Sequence, residues 1–344
     1  MPNLKTLKDK TVLIIGGTGS LGQALTRRLC ADNQVILFSR DELKQWTLRN
    51  EIKDPNVGFV VGDMRDGERL EETLIRHNPH VILIAAALKQ VDTCELAPAE
   101  SIKTNILGVQ NLVDAVERNM HRLDQLETVV MISTDKACAP TNVYGMSKAI
   151  AERIVVSCCR NHKTPKFVAV RYGNVLDSRG SIIPLFRHQA DHSRAFTLTH
   201  PEMTRFLMTL DDSIDLILTS IERGASGTTW LPELKAMRIK DLAQLFSEKY
   251  DKPVEVIGIR PGEKMHETLI SDAESVRSTK VDGFYILQPS FEPIPQDAEI
   301  FDYSSDQDVL SPKDLKKYLN SLGLLDADVE SFGKGPHVDV IRKD

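Results

Sequence analysis

The stretch TVLIIGGTGSLGQALTRRL, residues 11–29, decides the fold. It opens on a short apolar run of the kind formed by strands buried on both faces. Gly16, Gly17, Gly19 and Gly22 follow at once, and then an amphipathic stretch, QALTRRL. A strand, a glycine turn and a helix in that order form a cradle for a pyrophosphate. Gly16, Gly17 and Gly19 permit a tight turn close to the anion, Gly22 lets helix and strand pack closely, and the helix N-terminus offers free amides. A purely structural turn is the alternative, and the position directly after a strand weighs against it.

Working outward, short Val- and Ile-rich runs recur: QVILF (34–38), VGFVV (57–61), HVILIA (80–85), TVVMI (128–132) and KFVAVR (166–171). They alternate with amphipathic stretches, which predicts a doubly wound parallel α/β sheet of Rossmann type. After about residue 175 the rhythm shifts to shorter, Pro-punctuated segments such as HPEMTRF (200–206), WLPELKAMR (230–238) and IRPGEK (259–264). The expected organisation is a dinucleotide-binding domain over 1–175, rejoined by part of 205–230, with a smaller C-terminal substrate lobe over 176–330. A tail over 331–344 carries too little periodicity to place.

The 344 residues carry 43 Lys and Arg against 49 Asp and Glu, a net charge of −6. That balance gives no general pull toward nucleic acid or acidic lipid, so an anionic ligand needs a local site. Five cysteines, the last two adjacent, fit neither a disulfide framework nor metal-ligand spacing, and no metal is expected. No run reaches membrane-span length and the first residues lack a secretory core, so a reducing cytoplasm is the expected location.

Where an NAD site usually places an acid at the end of the second strand, this chain reads Ser39, Arg40, Asp41. A hydroxyl and a guanidinium suit a 2′-phosphate, so NADP is expected, with Arg40 stacking on adenine or pairing with phosphate. Asp41 either bonds the ribose or caps the next helix. Asp63 and Met64, just past the third strand, are placed to meet the adenine ring, although Asp63 is equally suited to cap a helix.

After the fifth strand comes STDKACAPTNVYGMSKA (133–149). Tyr144 and Lys148 stand four apart, hence on one helix face, where an ammonium lowers a phenol's pKa from about 10 toward neutrality. Such a Tyr takes a proton from a sugar hydroxyl as hydride leaves the same carbon. Thr134 lies ten residues upstream of it.

With GGTGSLG, YGMSK and RYGNV (171–175) in place, the sequence resembles the extended short-chain dehydrogenase/reductases. Within them, STDKA, AAALKQV (85–91), KTN (103–105), SRGS (178–181), MTRF (203–206) and RPGEK (260–264) resemble UDP-N-acetylglucosamine 4,6-dehydratases that invert C5, enzymes of surface-glycan synthesis. The resemblance spans residues 9 to 325 or so and implies a tightly bound NADP, regenerated each turnover. Its implied contacts run through Gly16, Thr18, Gly19, Ser20, Leu21, Gly22, Ser39, Arg40, Asp63, Met64, Ala85, Ala86, Tyr144 and Lys148. A UDP-sugar partner and a homo-oligomer are implied with it.

A C4 epimerase needs only the tyrosine and return of hydride, whereas a dehydratase must also remove the C5 proton and protonate the departing C6 hydroxyl. Retaining dehydratases of deoxythymidine-diphosphate-glucose carry Asp-Glu where this chain has Asp135-Lys136. The resemblance makes Lys136 the base and Asp135 the acid, and Lys136 then needs a depressed pKa from burial and cations such as Lys148. On the residues alone, Lys136 is also readable as a loop cation. Substrate contacts implied by resemblance are Lys89 near the sugar, Asn174 on the pyrophosphate, Arg179 and Ser181 at the uridine segment, Arg205 and Arg260 as phosphate clamps, and Glu263 near the ribose. Asn105 either holds a relay water or kinks its helix, and Cys138, lacking a His partner, reads as a lining residue. A non-catalytic NADP-sensing protein is the reading from another class, and it needs none of Tyr144, Lys148, Asp135 and Lys136.

Overall fold

In a computed structural model of the chain, the described residues are 7–176, 178 and 180–325. The segment 331–344 and Arg179 therefore lie outside the described residues. Nine strands form the main sheet: β1 (Thr11–Ile15), β2 (Gln34–Ser39), β3 (Val57–Val61), β4 (Val81–Ile84), β5 (Thr128–Ile132), β6 (Lys166–Val170), β7 (Thr229–Pro232), β8 (Ser278–Val281) and β9 (Phe284–Leu287). Their order across the sheet is β8-β9-β7-β6-β5-β4-β1-β2-β3. β1 through β7 pair in parallel, while β9 joins β7 and β8 joins β9 in antiparallel fashion.

The six apolar runs of the sequence are the first six strands, and β1, β4 and β5 are buried almost throughout because helices cover both faces. β1 is flanked by β2 on one side and β4 on the other, in register Ile15↔Phe38 and Ile15↔Ile84. The strand order therefore reverses at β1, and ligands of such sheets bind outside the strand ends at that point. A core of Leu13, Ile36, Leu70, Leu112, Val129, Val155 and Phe167 lies against one face.

The chain folds into two compact units. Among the described residues, the first contains those up to Tyr172, Asp211–Glu233 and Leu269–Asp302, and the second those of Gly173–Leu210, Leu234–Thr268 and 303–325. A split at residue 175 rejoined near 205–230 differs from this in one respect: 269–302 supplies β8 and β9 to the sheet as well. These strands are short, partly exposed and antiparallel, so they lack the continuous apolar signature of the parallel ones. The second unit has its own core, where Phe186, Phe196 and Phe246 meet edge to face at ring separations of 5.4–5.9 Å. Among the described residues no helix is long and apolar enough to cross a membrane.

Candidate active site

The glycine turn sits at the switch point. Gly16 adopts φ +89°, and a Cβ there would lie 2.6 Å from the Ala86 backbone nitrogen, across the gap between the ends of β1 and β4. At Gly22 a Cβ would lie 2.5 Å from the Gly17 carbonyl, so the helix Ser20–Leu29 approaches the turn as closely as it does only without a side chain. Gly19 caps that helix with no side-chain acceptor, as at the helix N-termini that bind anions. Leu21 is partly buried on the first turn. Thr18 and Ser39 share a hydrogen bond of 2.8 Å that joins the turn to the end of β2.

Asp41 is a helix cap, its carboxylate accepting from Lys44 N at 2.9 Å. Arg40 is largely exposed and lies 3.8 Å from Asp63. Asp63 receives two bonds from the Arg65 guanidinium, at 3.0 and 2.7 Å. Burial opposes its ionisation, but the Arg65 hydrogen bonds and the charges of Arg65 and Arg40 override this and hold the carboxyl below its ordinary range. Arg65 was not singled out from the sequence; the Arg two residues past an Asp is the only signal it leaves. Met64 corrects the expectation for its side chain: it is 4% exposed and packs into the core against Gly108.

The turn Asp135–Ala137 follows β5, and the helix Val143–Ser157 carries Tyr144 and Lys148. Asn142 caps that helix by accepting from Gly145 N at 2.8 Å. Gly145 has a steric reason to be glycine, since a Cβ would lie 2.1 Å from the Lys136 carbonyl oxygen. The turn and the helix thus meet backbone to backbone. Asp135 is 1% exposed, and its Oδ1 accepts from Thr134 Oγ1 at 2.9 Å and from Lys136 Nζ at 3.2 Å.

The electrostatics differ from the sequence expectation. Lys148 Nζ donates to the Ile132 carbonyl at 2.6 Å, and burial lowers its pKa to about 8. Burial likewise raises the Tyr144 phenol, to about 12 instead of toward neutrality. The cation that eases its ionisation most is Lys136, with a hydrogen bond from Thr134 next. The i,i+4 spacing put both residues on one helix, but the lysine spends its ammonium on a strand-end carbonyl. Lys136 Nζ pairs with the Asp135 carboxylate at 3.2 Å.

Asn105 lies in a π-helical segment, Ile102–Leu107. Its side chain accepts from Leu88 N at 2.8 Å and donates to Leu88 O and to Ser147 Oγ at 2.9 Å each. It thereby fastens the loop after β4, which carries Ala85, Ala86 and the exposed Lys89, to the Tyr144 helix. A buried ion triad braces the same helix: Arg171 binds Glu152 at 2.6 Å and Glu274 at 2.9 Å. Cys138 is fully buried and donates its thiol to Glu274 at 3.1 Å. Arg171 stands in RYGNV, but Glu274 is a hundred residues away and no local pattern pairs them.

Within the second unit, Arg205 donates to the Thr204 carbonyl at 2.7 Å and lies 3.8 Å from the buried Glu267. Ser181 bonds the Leu176 carbonyl at 2.7 Å and precedes the helix Ile182–His192. Arg260 is exposed on a turn where Glu263 N donates to its carbonyl at 3.2 Å and Gly262 takes φ +78°. Asn174 keeps its buried Oδ1 without a hydrogen-bond partner among the described residues. His266 Nδ1 meets Thr204 Oγ1 at 2.8 Å. Among the described residues no cluster of His, Cys, Asp or Glu is arranged to hold a metal.

A glycine turn at the switch point of a parallel sheet and a Tyr-Lys helix after its fifth strand define an extended short-chain dehydrogenase/reductase. The chain belongs to the polysaccharide biosynthesis protein family, which matches residues 12–289. It is thus an enzyme of the group that holds nucleotide-sugar dehydratases and epimerases. It is 34% identical over 334 residues to a UDP-N-acetylglucosamine 4,6-dehydratase (inverting) of Campylobacter jejuni, covering 90% of this chain and 97% of that one. A UDP-glucose 4-epimerase of Rickettsia felis is 40% identical over 287 residues, covering 80% and 82%. The X-ray structure of Pen from Bacillus thuringiensis superimposes with a TM-score of 0.85 at 32% identity, covering 92% of this chain and 98% of that one.

Proposed function

We propose that this enzyme dehydrates UDP-N-acetylglucosamine to a UDP-4-keto-6-deoxy-L-hexose, inverting C5, with NADP as a cofactor regenerated each turnover. The observation that carries the reading is the Asp135-Lys136 pair: a buried carboxylate and an ammonium 3.2 Å apart on the turn that abuts the Tyr144 helix. An acid and a base side by side are what elimination across C5 and C6 requires, and a simple epimerase has no use for them.

The glycine cradle, which any Cβ at Gly16 would fill, and the uncapped helix end fit a dinucleotide pyrophosphate. Arg40, with Ser39 behind it, would meet the 2′-phosphate. The nicotinamide, when bound, accepts the C4 hydride and returns it to C6. Tyr144 takes the C4 hydroxyl proton, and Lys148 orients the cofactor ribose beside it. The C4 ketone acidifies C5; once the Lys136 ammonium has passed a proton to the Asp135 carboxylate it pairs with, Lys136 as free base removes the C5 proton while Asp135 gives its proton to the C6 oxygen and water leaves. C5 is then reprotonated from the opposite face. Asn174, Arg179, Ser181, Arg205, Arg260, Glu263 and Lys89 are the residues we assign to the UDP-sugar.

The exposed apolar residues Leu96, Ile102, Leu107, Met146 and Ile150, on the segments around Asn105 and Tyr144, support a homo-oligomer. We place the enzyme in the cytoplasm, with no nucleic-acid or membrane partner. The epimerase name of the Rickettsia felis relative supports UDP-hexose 4-epimerisation as a second reading. Turnover of UDP-N-acetylglucosamine in deuterium oxide, read by NMR, separates the two. Inverting dehydration places one deuterium at C5 of an L-configured 4-keto-6-deoxy sugar, retaining dehydration labels C5 in the D configuration, and epimerisation yields a 4-epimer free of solvent deuterium. Lys136→Ala should still reduce bound cofactor yet release little dehydrated sugar; normal water loss in that variant would remove the support for Lys136.

A further inference from the structure

The turn that carries Asp135 and Lys136 is held at both ends by the two residues that follow β6. At its start, Asp135 N donates to the Tyr172 carbonyl at 2.9 Å, which continues the pairing of β5 with β6 beyond the strand ends. At its end, Cys138 N closes the turn on the Asp135 carbonyl at 3.1 Å, and the Cys138 thiol donates to Glu274 Oε2, also at 3.1 Å. Glu274 is held by Arg171, the residue before Tyr172, through two bonds of 2.9 Å. The same guanidinium donates to Glu152 at 2.6 and 3.3 Å. Tyr144, Lys148 and Glu152 follow one another at intervals of four, so Glu152 lies on the helix face that carries Tyr144 and Lys148. Arg171 thus has one arm to the turn, through Glu274 and Cys138, and one arm to the Tyr144 helix, through Glu152.

Apolar side chains of like volume often stabilise a core as well as a buried ion cluster does, or better, so stability alone does not account for this one. A hydrogen-bonded cluster adds direction, because bonds of defined length and angle set where each partner stands. Direction matters here, since a reacting group misplaced by about 1 Å costs on the order of 100-fold in rate. Elimination takes the group at C5 from the turn and the group at O4 from the helix, and both must meet one sugar ring. Resting on the dehydratase reading above, we infer that Glu274 is a positioning residue for the elimination step and Glu152 one for the oxidation step, with Arg171 as their common anchor. Glu274 sets the place of Asp135 and Lys136, Glu152 sets that of Tyr144 and Lys148, and Arg171 holds the two sets in one register. The three side chains are 3–14% exposed and act through the groups they hold. A glutamine at 274 keeps the shape but offers one accepting oxygen where the carboxylate has two. Glu274 Oε2 by itself takes Arg171, Cys138 and the Ser271 amide, the last at 3.3 Å, so that substitution loosens the arm to the turn.

Single-turnover absorbance separates the two steps. Enzyme loaded with oxidised cofactor is mixed with UDP-N-acetylglucosamine. The rise of reduced cofactor reports C4 oxidation, and its fall, as hydride returns to C6, follows water loss. Glu274→Gln is expected to slow the fall roughly 10- to 100-fold while the rise stays within about threefold of wild type, so that reduced cofactor accumulates. Deuterium at C5 of the sugar should slow that fall further, because removal of the C5 proton has become the slow step. Glu152→Gln should do the opposite: the rise slows, no reduced cofactor accumulates, and deuterium at C4 slows turnover where deuterium at C5 does not. Each variant leaves Arg171 one carboxylate to pair with. A merely structural cluster would slow both steps alike in both variants as their melting temperatures fall; that result, or wild-type rates in both steps, overturns the proposal. Should Glu274→Gln not fold, Cys138→Ala decides, since it cuts only the last bond of the arm to the turn. Its fall should slow about threefold, the worth of one modest hydrogen bond, and Cys138→Ser, which restores a donor, should recover the rate. Wild-type kinetics in Cys138→Ala would then refute the role of Glu274. Product identity is read on the wild type by NMR. A 4-epimer in place of a dehydrated sugar sinks the dehydratase reading itself, whereas a dehydrating wild type whose variants show no split sinks the positioning roles alone.

Discussion

Replacing Arg171 with Met takes the guanidinium away from two buried glutamates, Glu152 and Glu274. In the wild type the guanidinium makes four bonds to Glu152 and Glu274, at 2.6, 3.3, 2.9 and 2.9 Å, and a fifth to the Leu269 carbonyl at 2.9 Å. The Arg171, Glu152 and Glu274 side chains are 3%, 7% and 14% exposed, so solvent screens little of this. Burial works against ionisation of Glu274, yet the charge and hydrogen bonds of Arg171 hold it down at about 2, from an ordinary 4.5. A depression of that size is worth roughly 3 kcal/mol. Breaking one member out of a buried ion cluster costs about 3–5 kcal/mol, and the two figures agree. Arg171→Met should therefore lower the melting temperature, followed by circular dichroism at neutral pH, by roughly 4–7 °C.

The pH dependence should change sign as well. In the wild type the depressed carboxyl contributes stability that is complete above its ordinary value of 4.5 and is lost as pH falls toward 2. In the variant, desolvation is left to raise the Glu274 carboxyl above its ordinary value, so stability is lost as pH rises through it. Moving from neutral to mildly acidic buffer should then stabilise the variant and leave the wild type nearly unchanged. A variant within about 1 kcal/mol of wild type at neutral pH, or one with an unaltered pH profile, would refute the reasoning.

Tyr144→Phe should abolish turnover while UDP-sugar binding, measured by calorimetry, stays near wild type, because the ring remains; more than a few percent of residual rate would contradict its role. Arg40→Ala should weaken NADP by about tenfold or more and NAD far less, by loss of a charge-assisted bond worth roughly 1.5–3 kcal/mol. Equal weakening of the two in parallel titrations would leave Arg40 as an adenine platform only. Ile150→Glu, in the exposed apolar face, should shift the assembly toward the 38.5 kDa monomer by light scattering. A wild type that is already monomeric at micromolar concentration would remove the oligomer proposal.

The sheet and its cofactor turn were legible in the sequence because both are written locally. Strands buried on two faces leave continuous apolar runs, and the turn at Gly16 and Gly22 has to be glycine, whatever lies elsewhere in the chain. The Asp135-Lys136 and Tyr144-Lys148 pairs were legible for the same reason, since each is set by spacing along one turn or one helix. What the charges do was decided by the tertiary structure. Lys148 turns its ammonium to the Ile132 carbonyl, burial raises Tyr144, and the cation that helps the phenol is Lys136 from another segment. Met64 went to the core because Gly108 of a neighbouring helix leaves room for it. Arg171 found Glu274, and 269–302 joined the sheet, through contacts a hundred residues apart. Proton affinity depends on solvent exclusion and on the nearest charge in space, and neither is a property of spacing along the chain.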